Sequence, residues 1–350
     1  MDLSRLRPVY EHAGPFATVY LEGRSPGEDA AQQVRLRWRA LRERLEAEDA
    51  DAAAVDALEE QVYSGIAGEE QTNGRVLVAS AADGVVLEER WDAALGAGDE
   101  AHWTRLPELS AYGREAARSV RVLVAIVDQE SARVRQEVVA QEHKPETVAE
   151  ESVTGSGLEG PHKPRGQALS HKQIQRRADN AVSRNARDIA AFLTQAAEAF
   201  QPRVLILAGE VQARTAVREV LPVELSELLV ETGRGGLEDQ AAEQALTEET
   251  LRIAGEQSAM EAEFQADQFQ HGLAHRQAAQ GGEAVAKAAE MGAVGTLLFE
   301  DEAPAARAEF LLRVGAETGS ALALVPEGTG MTDGVGALLR FPLDETTPPG

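Results

Sequence analysis

Two short, continuously apolar runs constrain the fold of this chain more than any other feature. Residues 121–128 (RVLVAIVD) and 203–209 (RVLILAG) each have the length of one strand, and their cores do not alternate between apolar and polar positions. Runs of this kind are typical of strands that are buried on both faces of a sheet. A long helical pattern over 168–200 lies between them. This order predicts an α/β domain with a mixed or parallel sheet.

The remaining patterns complete a prediction of three α/β domains, over 1–115, 116–235 and 236–345. In the first domain we expect strands over 17–22, 75–80 and 85–91, with one long helix over 30–62. In the second we expect a strand over 131–139, a long exposed loop over 141–166, a helix over 211–220 and a strand over 227–232. In the third we expect a helix or helix pair over 238–275, helices over 282–291 and 305–317, and strands over 296–300, 321–326 and 337–341.

Composition and charge limit the classes of function. The 350 residues include no cysteine, which excludes disulfides and thiolate metal sites and permits a reducing cytoplasm. No apolar run has the length of a membrane span, and no basic start with an apolar run marks a signal peptide, so we expect a cytoplasmic protein without membrane contact. No motif predicts a metal ion or a cofactor. The net charge of −25 argues against non-specific nucleic-acid binding by the whole molecule.

The stretch between residues 160 and 187 has the opposite charge. It holds seven Lys or Arg residues and a single acid, Asp179, which gives it a charge of about +6. Guanidinium groups bind phosphate bidentately, and amides hydrogen-bond to bases and ribose. The candidate RNA-binding and ribosome-binding residues are His162, Lys163, Arg165, Gly166, Gln167, His171, Lys172, Arg176, Arg177, Arg184 and Arg187.

Helical spacing separates two faces of the helix over 168–200. The apolar face holds Ile174, Ala178, Val182, Ile189 and Leu193. The polar face holds Gln173, Arg176, Asn180, Arg184 and Arg187. The alternative interpretation is a solvated basic face that pairs with the acidic surface elsewhere on the protein.

The segment that leads into this helix resembles a known loop. The sequence Lys163-Pro164-Arg165-Gly166-Gln167, followed by a helix rich in Arg, Gln and Asn, is similar to the central domain of the eukaryotic and archaeal class-1 release factors. That family carries Gly-Gly-Gln on a long loop, and Arg165 stands where it has its first glycine. The run over 203–209 with its following helix is also similar to that domain.

The C-terminal third resembles the same superfamily. Residues 292–301 (GAVGTLLFED) and 334–342 (GVGALLRFP) resemble two strands of the C-terminal domain of release factors and Pelota, in the family's order. The N-terminal region has no Asn-Ile-Lys-Ser motif of the kind that reads stop codons. Together these features look most like the bacterial branch of the superfamily, including the Balon-type ribosome hibernation factors.

The resemblance implies a ribosome-binding translation factor that occupies the A site in stress or stasis. Its implied partners are ribosomal RNA of the bacterial ribosome, tRNA and the elongation factor EF-Tu. If the protein is instead an enzyme, it hydrolyses peptidyl-tRNA in ribosome rescue, with Gln167 as the catalytic residue that positions water. Arg165 disfavours the enzyme, since its Cβ restricts positive φ and its bulk crowds the approach. A third interpretation is an acidic protein-interaction module that does not bind RNA.

Two further motifs predict no chemistry. His271 and His275 lie four residues apart on a predicted helix, but no Glu follows His271 as a zinc-protease motif requires, so we interpret them as surface histidines. Residues 232–237 (TGRGGL) lack the lysine of a P-loop and are interpreted as a domain linker.

Overall fold

The computed structural model describes residues 1–21, 30–64, 74–90, 98–140, 145–156, 171–235 and 240–342, with the side chains of the long central helix described from Asn180 onward. It confirms a mixed α/β protein with several sheets. The chain forms two compact units, one made of Met1–Arg118 with Ala259–Gly350 and the other of Ser119–Ser258.

The strands are, in chain order, β1 Phe16–Leu21, β2 Arg75–Ser80, β3 Gly84–Arg90, β4 Glu100–Thr104, β5 Val120–Val127, β6 Ser131–Val139, β7 Glu146–Thr154, β8 Val204–Gly209, β9 Leu229–Glu231, β10 Ala278–Gln280, β11 Val294–Glu300, β12 Ala321–Val325 and β13 Val335–Leu339. The α-helices are α1 Arg7–Tyr10, α2 Ala30–Ala47, α3 Ala52–Tyr63, α4 Ser110–Arg118, α5 His171–Phe200, α6 Val211–Arg218, α7 Val223–Ser226, α8 Gln240–Ala274, α9 Gly282–Glu290 and α10 Ala308–Thr318. A 3-10 turn at Leu3–Leu6 precedes α1.

The unit Ser119–Ser258 is built on one five-stranded sheet in the order β7-β6-β5-β8-β9. Strands β5, β8 and β9 are parallel, and β6 and β7 continue the sheet in antiparallel pairs. Successive residues of β5 point to opposite faces, so Leu123 packs under α5 and α6 while Val122 packs under the first half of α8. Both faces are covered, which explains why the strand reads as a continuous apolar run.

The predicted loop over 141–166 is wrong in part, because strand β7 occupies Glu146–Thr154. This strand lies at the edge of the sheet and pairs only with β6 among the described strands. Its side chains are mostly exposed, including Val148 at 54%. An edge strand that faces water on both sides lacks the apolar alternation by which a strand is recognised in a sequence.

The other unit holds two four-stranded sheets, β3-β2-β1-β4 and β10-β13-β11-β12. The single helix predicted over 30–62 is wrong: α2 and α3 are separate helices that cover one apolar core. The break is local, because Asp49 has φ 58° and the Asp51 side chain caps α3 by accepting from the Ala53 amide. Strands β4 and β10 and helix α4 were not predicted from the sequence.

The N-terminal and C-terminal parts of this unit share one core. Leu3, Leu6 and Val9 pack with Leu311 and Leu312 of α10, and the Leu3 amide donates to the Ser320 carbonyl at 3.0 Å. The units divide the chain after 118 and 258, whereas the sequence predicted boundaries after 115, 235 and 345. The unit built on the five-stranded sheet extends to Ser258 rather than ending at 235 because Leu246, Ile253 and Ala254 of α8 complete the core beneath that sheet.

Candidate functional site

The candidate site is centred on the connection between β7 and α5. Most of its predicted residues lie outside the described residues, namely His162, Lys163, Arg165, Gly166 and Gln167. Another group lies on the first turns of α5, where the backbone but not the side chain is described: His171, Lys172, Arg176 and Arg177. The structure therefore places the two ends of the connection and the side chains of Arg184 and Arg187.

The end of β7 is fastened to the middle of α5 by polar contacts. The amide and hydroxyl of Ser156 both donate to the Asp188 carboxylate, at 2.9 and 2.7 Å. The Gly155 amide donates to the Glu130 carbonyl at 2.8 Å, and the Asn185 side-chain amide donates to the Gln129 carbonyl at 2.8 Å. We call Gly155, Ser156, Asn185 and Asp188 the stem.

Close packing at the stem requires a glycine. A Cβ built on Gly155 would lie 2.2 Å from Asn185 Oδ1, far inside van der Waals contact. Asn185 itself is 3% exposed, so its hydrogen bond to Gln129 satisfies a buried amide. The chain therefore leaves the sheet directly against α5, at a fixed point about four turns into that helix.

The α5 helix forms here because its inward face is apolar at helical spacing. Ala186, Ile189 and Leu193 are buried against the five-stranded sheet, together with Leu123 of β5 and Leu205 of β8. Asn185 interrupts this face with a polar side chain. A polar residue at this position is the sequence signal for the stem, because a buried amide requires a hydrogen-bond partner.

The outward face of α5 is basic and open to water. Arg184 and Arg187 are exposed, as is Asn180, which agrees with the polar face expected from helical spacing. The hydrogen bonds from the Ser156 amide and hydroxyl lower the pKa of Asp188, and the nearby positive charge of Arg184 lowers it further. Asp188 is therefore a carboxylate at neutral pH that orders the stem, and the guanidinium groups of Arg184 and Arg187 lie exposed on the same part of α5.

The carboxyl ends of β5 and β8 meet beside the stem. Gly209 has φ 99°, and a Cβ there would lie 2.1 Å from the Val127 carbonyl oxygen. Asp128 accepts from the amides of Glu130 and Ser131 at 2.7 and 2.6 Å, which fixes the turn that leads to β6. The shape of this edge of the sheet is therefore set by backbone conformation and by hydrogen bonds to main-chain amides.

Two features are absent from the part of the chain that the structure describes. It contains no group of three or more His, Asp or Glu side chains that could hold a metal ion. It also contains no helix that is long and apolar enough to cross a membrane.

Comparison with known proteins identifies the segment that carries the stem. Residues 121–275 match the family model described as bacterial archaeo-eukaryotic release factor family 2. The match covers the segment for which the loop motif predicted a resemblance to the release factors, and it agrees with that prediction.

Two uncharacterized proteins, from two strains of Mycobacterium tuberculosis, are each 27% identical to this chain over 258 residues. The match covers 69% of this chain and 63% of each relative. The aligned part of the chain thus spans less than two thirds of the length of these relatives.

Solved structures of the superfamily are more distant. A crystal structure of an archaeal translation termination factor is 18% identical, covers 97% of both chains and has a TM-score of 0.26. Archaeoglobus fulgidus Pelota is 15% identical with a TM-score of 0.33, covering 97% of this chain and 92% of its own. Archaeal Pelota in a model of its ribosome-bound form is 14% identical with a TM-score of 0.44, covering 98% and 95%.

Proposed function

We propose that this protein is a ribosome-associated translation factor that binds the A site of the bacterial ribosome in the cytoplasm and holds idle ribosomes during stress or stasis. The observation that carries the proposal is the exposed basic face of α5, beside a stem from which the Gly-Gln segment departs, inside the stretch that matches a release factor family. Ribosomal RNA supplies a dense array of phosphates, and Arg is the side chain best suited to bind them.

The charge distribution supports a specific rather than a general RNA contact. A chain with a net charge of −25 is repelled by nucleic acid over most of its surface. Binding through one basic face orients the molecule, so that the segment around Gln167 points into the ribosome while the acidic surface faces away. In this proposal Lys163, Arg165, Lys172, Arg176, Arg177, Arg184 and Arg187 contact RNA phosphates, and His162, Gly166, Gln167 and His171 lie near tRNA or ribosomal RNA.

The second candidate function is peptidyl-tRNA hydrolysis in ribosome rescue. The Gly166-Gln167 pair favours it, because a glutamine next to a glycine can approach an ester and orient water. Arg165, in the place of the family's first glycine, favours occupancy of the site without hydrolysis. Delivery by a GTPase such as EF-Tu is compatible with either function.

A binding assay with a matched charge control tests the proposal. Arg184→Gln with Arg187→Gln removes two exposed charges from α5, and Arg35→Gln with Arg39→Gln removes two exposed charges from α2. Co-sedimentation with vacant 70S ribosomes across a salt series gives the affinity and its salt dependence. We expect the α5 variant alone to bind more weakly, with the slope of log K against log salt reduced by about 2.

Two outcomes would redirect the proposal. Equal affinity of the two double variants for ribosomes would show that Arg184 and Arg187 of α5 do not contact RNA. Binding that does not weaken as salt rises would favour a protein-interaction module. Release of peptide from peptidyl-tRNA on stalled ribosomes, lost in Gln167→Ala, would establish the enzyme instead.

A further inference from the structure

The C-terminal end of α8 brings together two histidines that the proposed function does not use. His271 and His275 are both exposed and lie one helical turn apart. Their ring centroids are 4.1 Å apart, and the ring planes are inclined by 26°. Both imidazoles therefore occupy the same small region of the surface.

The hydrogen bonding of His275 fixes which ring nitrogen is available. Its Nδ1 lies 2.8 Å from the carbonyl oxygen of His271. A carbonyl only accepts, so Nδ1 carries the hydrogen and Nε2 is left with a free lone pair. Metal-binding histidines commonly have this arrangement, in which a main-chain carbonyl holds one nitrogen and the other binds the ion.

The backbone at this point is also fixed. The His275 amide donates to the carbonyls of His271 and Gly272, both at 3.2 Å, and the Gln277 amide donates to the Gly272 carbonyl at 2.8 Å. Arg276 has φ 59°, the left-handed conformation that ends the helix. The two imidazoles are thus carried close together on a closed helical turn.

We propose that His271 and His275 form a two-histidine site for a divalent first-row transition metal ion, with Cu²⁺ bound more tightly than Ni²⁺ or Zn²⁺. Imidazole suits all three ions, and the order follows the general stability series for nitrogen ligands. Water completes the coordination, because the described residues offer no third carboxylate or imidazole at this place. Bridging the last turn of α8 stabilises the folded chain, since the unfolded chain does not hold the two rings together.

Titration of the full-length protein with CuCl₂, and separately with ZnCl₂, tests this site. Calorimetry measures affinity and stoichiometry, and electron paramagnetic resonance of the Cu²⁺ form reports the bound nitrogens. The variants are His271→Gln and His275→Gln, with His12→Gln as the control, because His12 is a partly exposed histidine that lies 3.0 Å from Asp83. We expect each site variant to weaken Cu²⁺ binding by at least about tenfold and the control to leave it unchanged.

Each alternative result has a defined meaning. Equal affinity in all four proteins would show that the ion binds elsewhere and would overturn the site. Loss in only one of the two variants would show a single imidazole ligand and would overturn the chelate. Exposure of both side chains allows the variants to fold, and circular dichroism of the metal-free proteins verifies this.

Discussion

Two carboxylates in this molecule accept the same kind of hydrogen bonds, but their pKa values shift in opposite directions. Asp188 at the stem accepts the amide and hydroxyl of Ser156. Glu309 on α10 accepts the amides of Leu109 and Ser110, at 2.7 and 2.9 Å, where α4 begins. The pKa of Asp188 is lowered, whereas burial raises the pKa of Glu309 to about 7 against the effect of its two donors.

The difference shows that surroundings, not hydrogen-bond number, decide the charge state. Asp188 lies near solvent and next to Arg184, so ionisation costs little desolvation. Glu309 lies within the packed junction of the N-terminal and C-terminal segments, close to the buried side chains of Leu311 and Leu312. The junction of these segments is therefore held by apolar burial, and the stem is held by polar contacts.

The largest effect that sharpens this comparison is expected from the apolar junction. Leu3 is fully buried, and a Cβ on Gly315 would lie 2.6 Å from its Cδ1 atom. Leu3→Ala should lower the free energy of unfolding of this unit by about 3 kcal/mol, because the lost contacts leave a cavity in a tight site. Urea denaturation followed by tryptophan fluorescence reports on it, since Trp38 and Trp103 lie in this unit and the sequence over 119–258 contains no tryptophan.

Leu36→Ala is the control for this measurement. Leu36 is 55% exposed on α2, and its truncation should change stability by less than about 0.5 kcal/mol. Similar losses from Leu3→Ala and Leu36→Ala would contradict a shared core for the N-terminal and C-terminal segments.

The next effect is a decrease in the free energy of unfolding as pH rises, caused by the ionisation of Glu309. In the unfolded chain the carboxyl of Glu309 ionises near its ordinary pKa of 4.5, and in the folded chain near about 7. Between these values the unfolded state binds fewer protons, so stability falls as pH rises from about 4.5 to about 7. The total change is up to about 3 kcal/mol, as an order of magnitude, and Glu309→Gln should remove it.

Denaturation curves between pH 4.5 and 8 measure this slope. Glu283→Gln, which neutralises an exposed carboxylate on α9, serves as the control and should keep the slope of the unaltered protein. An unchanged slope in Glu309→Gln would mean that this carboxyl does not titrate within the junction.

The sequence predicted the helices and strands that a pattern of apolar residues marks. The structure confirms the buried strands β5 and β8, the helix α5 over most of its predicted length and the three closing strands of the C-terminal sheet, all of which follow from the pattern of apolar residues. The sequence did not predict what depends on one residue or on distant partners. No repeating pattern of apolar residues marks the break at Asp49, the exposed strand β7 or the contact of Glu309 with Leu109.

The candidate site divides along the same line. The basic, outward face of α5 was predictable, because basic residues cluster between 160 and 187 in an acidic chain and helical spacing separates Arg176, Arg184 and Arg187 from the apolar face. The contact between Ser156 and Asp188 was not predictable, because its hydrogen bonds join residues 32 positions apart and no local pattern specifies such a pair. Contact of the basic residues with RNA stays a prediction that the ribosome experiment tests.

The smallest expected effect concerns the stem itself. Asp188→Ala removes both hydrogen bonds to Ser156 and should cost about 1 kcal/mol, because each bond is near solvent and water replaces it. Since its folded pKa is lowered, Asp188 contributes stability above its ordinary pKa of 3.8, and that contribution is lost as pH falls below this value. Amide hydrogen exchange at Ser156 is the readout, and it should accelerate in Asp188→Ala more than in Ser156→Ala, which loses only the hydroxyl bond. Equal exchange in both variants would show that the Gly155 bond to Glu130, rather than Asp188, holds the stem.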